Sequence, residues 1–151
     1  MLNPGTAAPA FTLQDQNGEL RSLADYSGQR VILYFYSRDM TSGCTKQACG
    51  FAELYPQFTE KDAVVIGISK DSAESHRKFA EKYSLPFVLL SDPELDAIRA
   101  YDVWKEKMNY GKATMGVVRT TYLIDENGTI VRVYGKVNAA ENPARMLEAL
   151  G

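Results

Sequence analysis

Val31-Ile32-Leu33-Tyr34-Phe35-Tyr36 runs without a break into Ser37-Arg38-Asp39-Met40-Thr41-Ser42-Gly43-Cys44-Thr45-Lys46-Gln47-Ala48-Cys49. The apolar run reads as a strand buried on both faces. The polar, glycine-containing turn after it opens a helix from Cys44 to about Thr59, with Ala48, Phe51, Ala52 and Tyr55 on one face. A buried strand that turns into a helix delivers its turn residues to the mouth of an α/β fold. Here it delivers a thiol. In the first turn of a helix, a cysteine meets unpaired N–H groups and the positive end of the macrodipole, which favour its thiolate.

Outward from this junction the chain alternates strand and helix. Ala10 to Leu13 reads as a short strand, turned back by Gln16-Asn17-Gly18-Glu19 towards Leu20 and Leu23. Val64 to Ser69 is a second buried strand. Asp71 or Ser72 caps a helix to Tyr83, with Ala73, Phe79 and Ala80 inward. Leu85 to Leu90 leads into a strand, and Ser91-Asp92-Pro93 opens a helix from Glu94 to Tyr101. The stretch from Asp102 to Val118 is irregular and interrupted by glycine. Thr120 to Ile124 and Thr129 to Tyr134 flank Asp125-Glu126-Asn127-Gly128, a strong hairpin signal. Asn142-Pro143 opens a closing helix, Ala144 to Leu150. This order predicts an α/β protein, a mixed central sheet with helices on both faces.

The 151 residues fit one domain, 1–151, large enough to bury a core. A net charge of −2 gives no footprint for nucleic acid or an anionic membrane. No apolar run approaches the ~20 residues of a membrane helix, and Met1-Leu2-Asn3-Pro4-Gly5 lacks the start of a signal peptide. A cytoplasmic, reducing location is the expectation. Two cysteines do not make a disulfide framework for a chain of this size.

Free cysteines are mostly buried and inert. Cys44 differs in its neighbours: Thr41, Ser42, Gly43 and Thr45 suggest a sulfur that solvent or a small substrate reaches. Cys49 reads either as a core residue of the helix or as a second redox thiol. The spacing is not Cys-x-x-Cys, which weakens a thioredoxin-type exchange motif. Two thiols and one distant histidine do not complete a zinc site. His76, within Glu74-Ser75-His76-Arg77-Lys78, reads as a surface residue. Trp104 and Tyr110 read as wall or core. Arg119, just before a buried strand, reads on its own as a snorkelling or ion-paired arginine. It gains interest because a thiolate needs a cation and the strands of one sheet end close together.

Taken together, these segments resemble the peroxiredoxins, specifically the Q subgroup or bacterioferritin comigratory proteins, over nearly the whole chain. The similar stretches are Gly5 to Phe11, Gly67 to Asp92, Tyr110-Gly111-Lys112 and Gly116 to Asp125. The family motif P-x-x-x-T-x-x-C is met by Ser37 to Cys44, with Ser37 in place of its proline and Ser42 in place of another proline common in the subgroup. The resemblance implies a thioredoxin-like fold with an N-terminal β extension. It implies that Cys44 is the peroxidatic cysteine, Thr41 the hydroxyl partner of the peroxide, Arg119 the active-site arginine and Cys49 the resolving cysteine. The implied substrates are hydrogen peroxide and organic hydroperoxides, with recycling by thioredoxin or a similar dithiol, no metal or other cofactor, and a monomeric chain. A thiol–disulfide oxidoreductase or a non-catalytic redox-sensing module on the same fold are the competing readings.

Two physical expectations accompany that resemblance. For any thiol, lowering the pKa from about 8.5 to about 6 raises the thiolate fraction at neutral pH by roughly 30-fold. It also lowers intrinsic nucleophilicity by roughly 10-fold. A fast peroxidase must therefore stabilise O–O cleavage with donors fixed in advance. In addition, two cysteines five residues apart in one helix have Cα atoms roughly 8–9 Å apart, beyond the ~7 Å that a disulfide spans. A bond between them requires the segment 41–51 to unwind, and Gly43 and Gly50 are expected to ease that.

Overall fold

The computed structural model describes residues 1–151, the side chain of Asn109 excepted. Nine strands and four α-helices follow in the order β1 (Thr12–Asp15), β2 (Leu20–Ser22), β3 (Arg30–Phe35), α1 (Ser42–Glu60), β4 (Ala63–Ser69), α2 (Ala73–Tyr83), β5 (Val88–Ser91), α3 (Asp96–Ala100), β6 (Trp104–Asn109), β7 (Lys112–Val117), β8 (Thr120–Ile124), β9 (Ile130–Tyr134) and α4 (Asn142–Ala149). Seven strands form one sheet in the order β2-β1-β5-β4-β3-β8-β9, and β6 and β7 form a separate ribbon. The β3–β4 and β4–β5 pairs are parallel, while β1, β8 and β9 join antiparallel. The sheet is mixed, as the sequence predicts, and the β1–β2 hairpin is the N-terminal extension. Among the described residues, no helix is long and apolar enough to cross a membrane.

The continuous apolar run of β3 follows from its central place. Val31, Leu33 and Phe35 face one core, with α3 and the N-terminal segment packed over it. Ile32, Tyr34 and Tyr36 face the other, against α1, α2 and α4. Strand residues alternate faces, so a strand covered on both sides must be apolar throughout. Tyr34 stacks on Phe51 of α1 at 4.9 Å between ring centroids, which fixes α1 against the strand that precedes it.

Three local readings change. The helix expected from Glu94 starts at Asp96, because Leu95 takes a left-handed conformation, φ 64°. The Asp92 carboxylate still acts as its cap, accepting the N–H groups of Asp96 and Ile98. The stretch 102–118, read as irregular, contains the β6–β7 ribbon. Its two-residue turn is Tyr110-Gly111, with φ 53° and 79°, the positive pair that a tight hairpin requires. Consequently Tyr110 is 99% exposed, not wall or core, whereas Trp104 packs against the core edge.

Candidate active site

Residues of the β3–α1 turn and the β7–β8 turn meet at one end of the sheet. In the antiparallel β3–β8 pair, Phe35 stands opposite Thr120. The residues just after β3 and just before β8 are therefore neighbours. Cys44 is the third residue of α1, and Thr41 is the N-cap, extended at φ −77° and ψ 153°. Arg119 reaches across from the start of β8. Its Nη2 donates to Cys44 Sγ at 3.3 Å and its Nη1 to Gln47 Oε1 at 2.6 Å. Gly43 makes the approach possible, since a Cβ there would stand 3.1 Å from Arg119 Nη2.

The sequence points to an accessible sulfur, and the structure corrects this. Cys44 is 1% exposed and belongs to the core cluster of Tyr34, Tyr36, Ala48 and Phe51. Its position on the inward face of α1, four residues before Ala48, outweighs the polarity of its sequence neighbours. Burial acts to raise the Cys44 thiol pKa. The Arg38 N–H, the Thr41 and Ser37 hydroxyls and the Arg119 charge outweigh it, and the thiol lies below its ordinary value. Ser37, noted in the sequence only as a missing proline, has its Oγ 3.5 Å from Sγ. The Thr41 hydroxyl proton is engaged by the Arg38 carbonyl at 2.8 Å, so it turns to a sulfur or substrate oxygen by rotation about one bond.

Cys49 lies further along α1, half-buried and unbonded to Cys44, and burial pushes its thiol up. The two cysteines share one continuous helix, the geometry in which a disulfide does not close. Gly43 and Gly50 have packing reasons of their own. At Gly50 a Cβ would stand 2.8 Å from Pro143 Cγ, so this glycine lets α1 and α4 approach.

Sequence reading missed Gln47 and His76. Gln47 is fully buried, accepts from Arg119 and donates to Asn142 Oδ1 at 3.0 Å, which also accepts from Thr121 at 2.9 Å. Its position three residues after Cys44, on the same helical face, was the available signal. His76, read as a surface residue, is 0% exposed. Its sequence neighbours are polar, but it stands three residues after Ala73 and three before Phe79, on the inward face of α2. The ligating atoms of Asp39, Asp71 and His76 lie within 4.8 Å of one another, and each of the three takes part in hydrogen bonds with protein groups.

The AhpC/TSA family profile matches residues 4–133. The chain is 47% identical over 146 residues to Peroxiredoxin Bcp of Bacillus subtilis, covering 97% of this chain and 93% of the relative. It is 44% identical over 133 residues to Peroxiredoxin Bcp of Escherichia coli, covering 88% and 85%. Among solved structures it is similar to the Xanthomonas campestris bacterioferritin comigratory protein, whose alkyl peroxide reduction activity was studied in trapped intermediate and ligand complexes. The TM-score is 0.89 at 36% identity, covering 93% of this chain and 89% of that one. A Xylella fastidiosa PrxQ mutant superposes with a TM-score of 0.94 at 32% identity, covering 99% and 96%.

Proposed function

This chain belongs to the AhpC/TSA family and is a peroxiredoxin, a thiol peroxidase on a thioredoxin-like fold; from that premise we propose that Cys44 is its peroxidatic cysteine and Cys49 its resolving cysteine. The Cys44 thiolate attacks the terminal oxygen of a hydroperoxide. The S–O bond forms as O–O breaks, the sulfur is oxidised to a sulfenic acid, and the leaving oxygen departs as water or an alcohol after taking a proton. Cys49 then displaces water from the sulfenic acid to form a disulfide. A thioredoxin-like dithiol returns both residues to thiols and is itself oxidised. Hydrogen peroxide and organic hydroperoxides are the proposed substrates.

The observation that carries this reading is the Arg119 guanidinium 3.3 Å from the Cys44 sulfur. Among the described residues Arg119 takes part in no salt bridge, and its other side-chain hydrogen bond is to the neutral Gln47 amide. Its charge is free to hold the thiolate and then the leaving oxygen. A lowered thiol pKa on its own gives only a small gain in rate. The larger effect comes from donors aimed at the O–O bond: Arg119, the Thr41 hydroxyl and the Arg38 N–H.

The test is stopped-flow oxidation of the reduced protein by hydrogen peroxide and by a bulky organic hydroperoxide. Cys44→Ser is expected to abolish turnover, and near wild-type consumption by that variant would refute the assignment. A peroxide-consumption assay with and without a reduced dithiol protein separates the peroxidase from a thiol–disulfide oxidoreductase. A slow redox sensor would show neither rapid oxidation nor dithiol-dependent turnover.

A further inference from the structure

Asp39, in the turn between β3 and α1, is the centre of a hydrogen-bond network that reaches α2, β5 and the end of β4. Its Oδ1 receives the Tyr36 hydroxyl at 2.6 Å, and its Oδ2 receives the Ser75 hydroxyl at 2.8 Å. His76 Nδ1 lies 2.7 Å from the same Oδ2, and His76 Nε2 lies 3.0 Å from the Leu90 carbonyl. The Asp39 N–H donates to Asp71 Oδ2 at 2.9 Å, which also receives the Ser69 hydroxyl at 2.6 Å. Groups from the end of β4, β5 and α2 are thus linked to one turn residue, directly or through His76 and Asp71.

The imidazole has three partners: Asp39 Oδ2, the Tyr36 hydroxyl 3.3 Å from Nδ1, and the Leu90 carbonyl at Nε2. One proton shared between Nδ1 and Oδ2 and one on Nε2 satisfy the contacts to Asp39 and Leu90. Burial opposes charge on Asp39, but the bonds and charge from His76 outweigh it and hold the carboxyl below its usual range. A buried Asp–His pair is a poor device for stability alone, because apolar residues of similar volume often serve as well. What this pair fixes is more informative.

The residue after Asp39 is Met40, at φ 66°, one of seven non-glycine residues of the chain in the left-handed region, which is uncommon for a residue with a side chain. Arg38 lies on one side of Asp39 and Met40 and Thr41 on the other. The Arg38 N–H is among the groups that favour the Cys44 thiolate, and the Thr41 hydroxyl, whose proton goes to the Arg38 carbonyl at 2.8 Å, reaches it by rotation about one bond.

We propose that Asp39 and His76 are positioning residues for the peroxide step: their buried pair clamps residues 38–41 in the turn that holds the Arg38 N–H and the Thr41 side chain beside Cys44. The proposal rests on Cys44 being the attacking sulfur. It assigns a function in the reaction to a histidine more than 30 residues from Cys44 in sequence, which does not touch the reacting atoms.

The test uses the full chain carrying Cys49→Ser, so that only the peroxide step is read. Dimedone trapping and mass spectrometry locate the sulfenic acid. In this background His76→Ala and Asp39→Ala are expected to slow oxidation about 10- to 100-fold in molecules that remain folded by circular dichroism. The thiolate absorbance of Cys44 should appear at higher pH. Asp39→Asn is isosteric: its oxygen still accepts the Tyr36 hydroxyl and its NH2 donates to an unprotonated His76 Nδ1 and to Ser75 Oγ, so it should recover most of the loss. A merely structural pair would change the unfolding midpoint and leave the rate and thiolate titration of the folded fraction as they are. That result overturns the proposal. Should both alanine variants fail to fold, Ser75→Ala removes one donor to Asp39 at a half-buried position. It is expected to slow oxidation by about threefold through that lost bond, and an unchanged rate is the overturning result. An adduct away from Cys44 refutes the identity of the attacking sulfur, a failure distinct from an unchanged rate with the adduct on Cys44.

Discussion

Arg119 and Cys44 are 75 residues apart in the chain, yet Nη2 of one lies 3.3 Å from Sγ of the other. The pairing of β3 with β8 brings their turns together, and the bare Gly43 backbone leaves room for the guanidinium. A cation this close to a buried sulfur acts on the thiolate and on the charge that develops as O–O breaks.

Replacing Arg119 should therefore affect chemistry more than folding. Arg119→Met is expected to slow oxidation of the reduced protein by about 100-fold or more while leaving circular dichroism unchanged. Stopped-flow measurement of the oxidation rate constant checks it, and an unchanged rate would return Arg119 to a structural role.

Gln47 ties Arg119 to the start of α4 through Asn142. Gln47→Leu keeps the volume but leaves a buried donor of Arg119 without its acceptor. The expected loss is about 1–3 kcal/mol of stability, read from urea unfolding, together with slower oxidation. Retained stability and rate would show that water replaces the amide.

The disulfide proposed between Cys44 and Cys49 demands that the first turns of α1 unwind, since one helix holds their Cα atoms roughly 8–9 Å apart. Unwinding also breaks the Gln47 bonds, because Gln47 lies between the two cysteines. Hydrogen exchange over residues 41–51 should be faster in the oxidised protein than in the reduced one. Cys49→Ser should complete one round of peroxide reduction, lose disulfide-based recycling and over-oxidise more readily. Equal protection in the two redox states would sink the unwinding mechanism.

Ser42 is the first residue of α1, exposed, and its hydroxyl makes no hydrogen bond among the described residues. Its N–H has no partner within the helix, and Thr41 before it is extended, as a residue preceding proline must be. Ser42→Pro should stabilise the reduced protein by about 0.4–1 kcal/mol. A clear loss in the denaturation midpoint would show that the Ser42 N–H is needed.

Two buried carboxyls govern the acid limb of stability. At Asp15, burial is outweighed by the Arg21 side chain and the N–H groups of Asn17 and Glu19, and at Asp39 by His76, Tyr36 and Ser75. Both sit below the ordinary carboxylate range. Their contribution is full above about pH 4, the unfolded-state value, and is lost as pH falls through the lowered folded-state values. Urea unfolding at a series of pH values should show stability declining below about pH 4. Arg21→Ala should flatten that decline, because Asp15 then titrates nearer its unfolded value.

The sequence by itself determined the strand–turn–helix unit at 31–49, the alternation around it, and Cys44 as a thiol in a first helical turn. These features depend on local periodicity and capping, which neighbouring residues encode. It also carried Thr41 and Arg119, through the motif and through the strand that follows Arg119. The tertiary structure alone decided that Cys44 is closed from solvent, that Gln47 braces Arg119, and that His76 is a buried partner of Asp39. Each of these depends on which side chains meet across the sheet ends, at separations of 37 residues for Asp39 and His76 and 72 for Gln47 and Arg119. Neighbour polarity in the chain says little about such meetings. Burial is set by the face that a residue presents once helix and sheet have packed, and for His76 the helical phase outweighed the charged residues beside it.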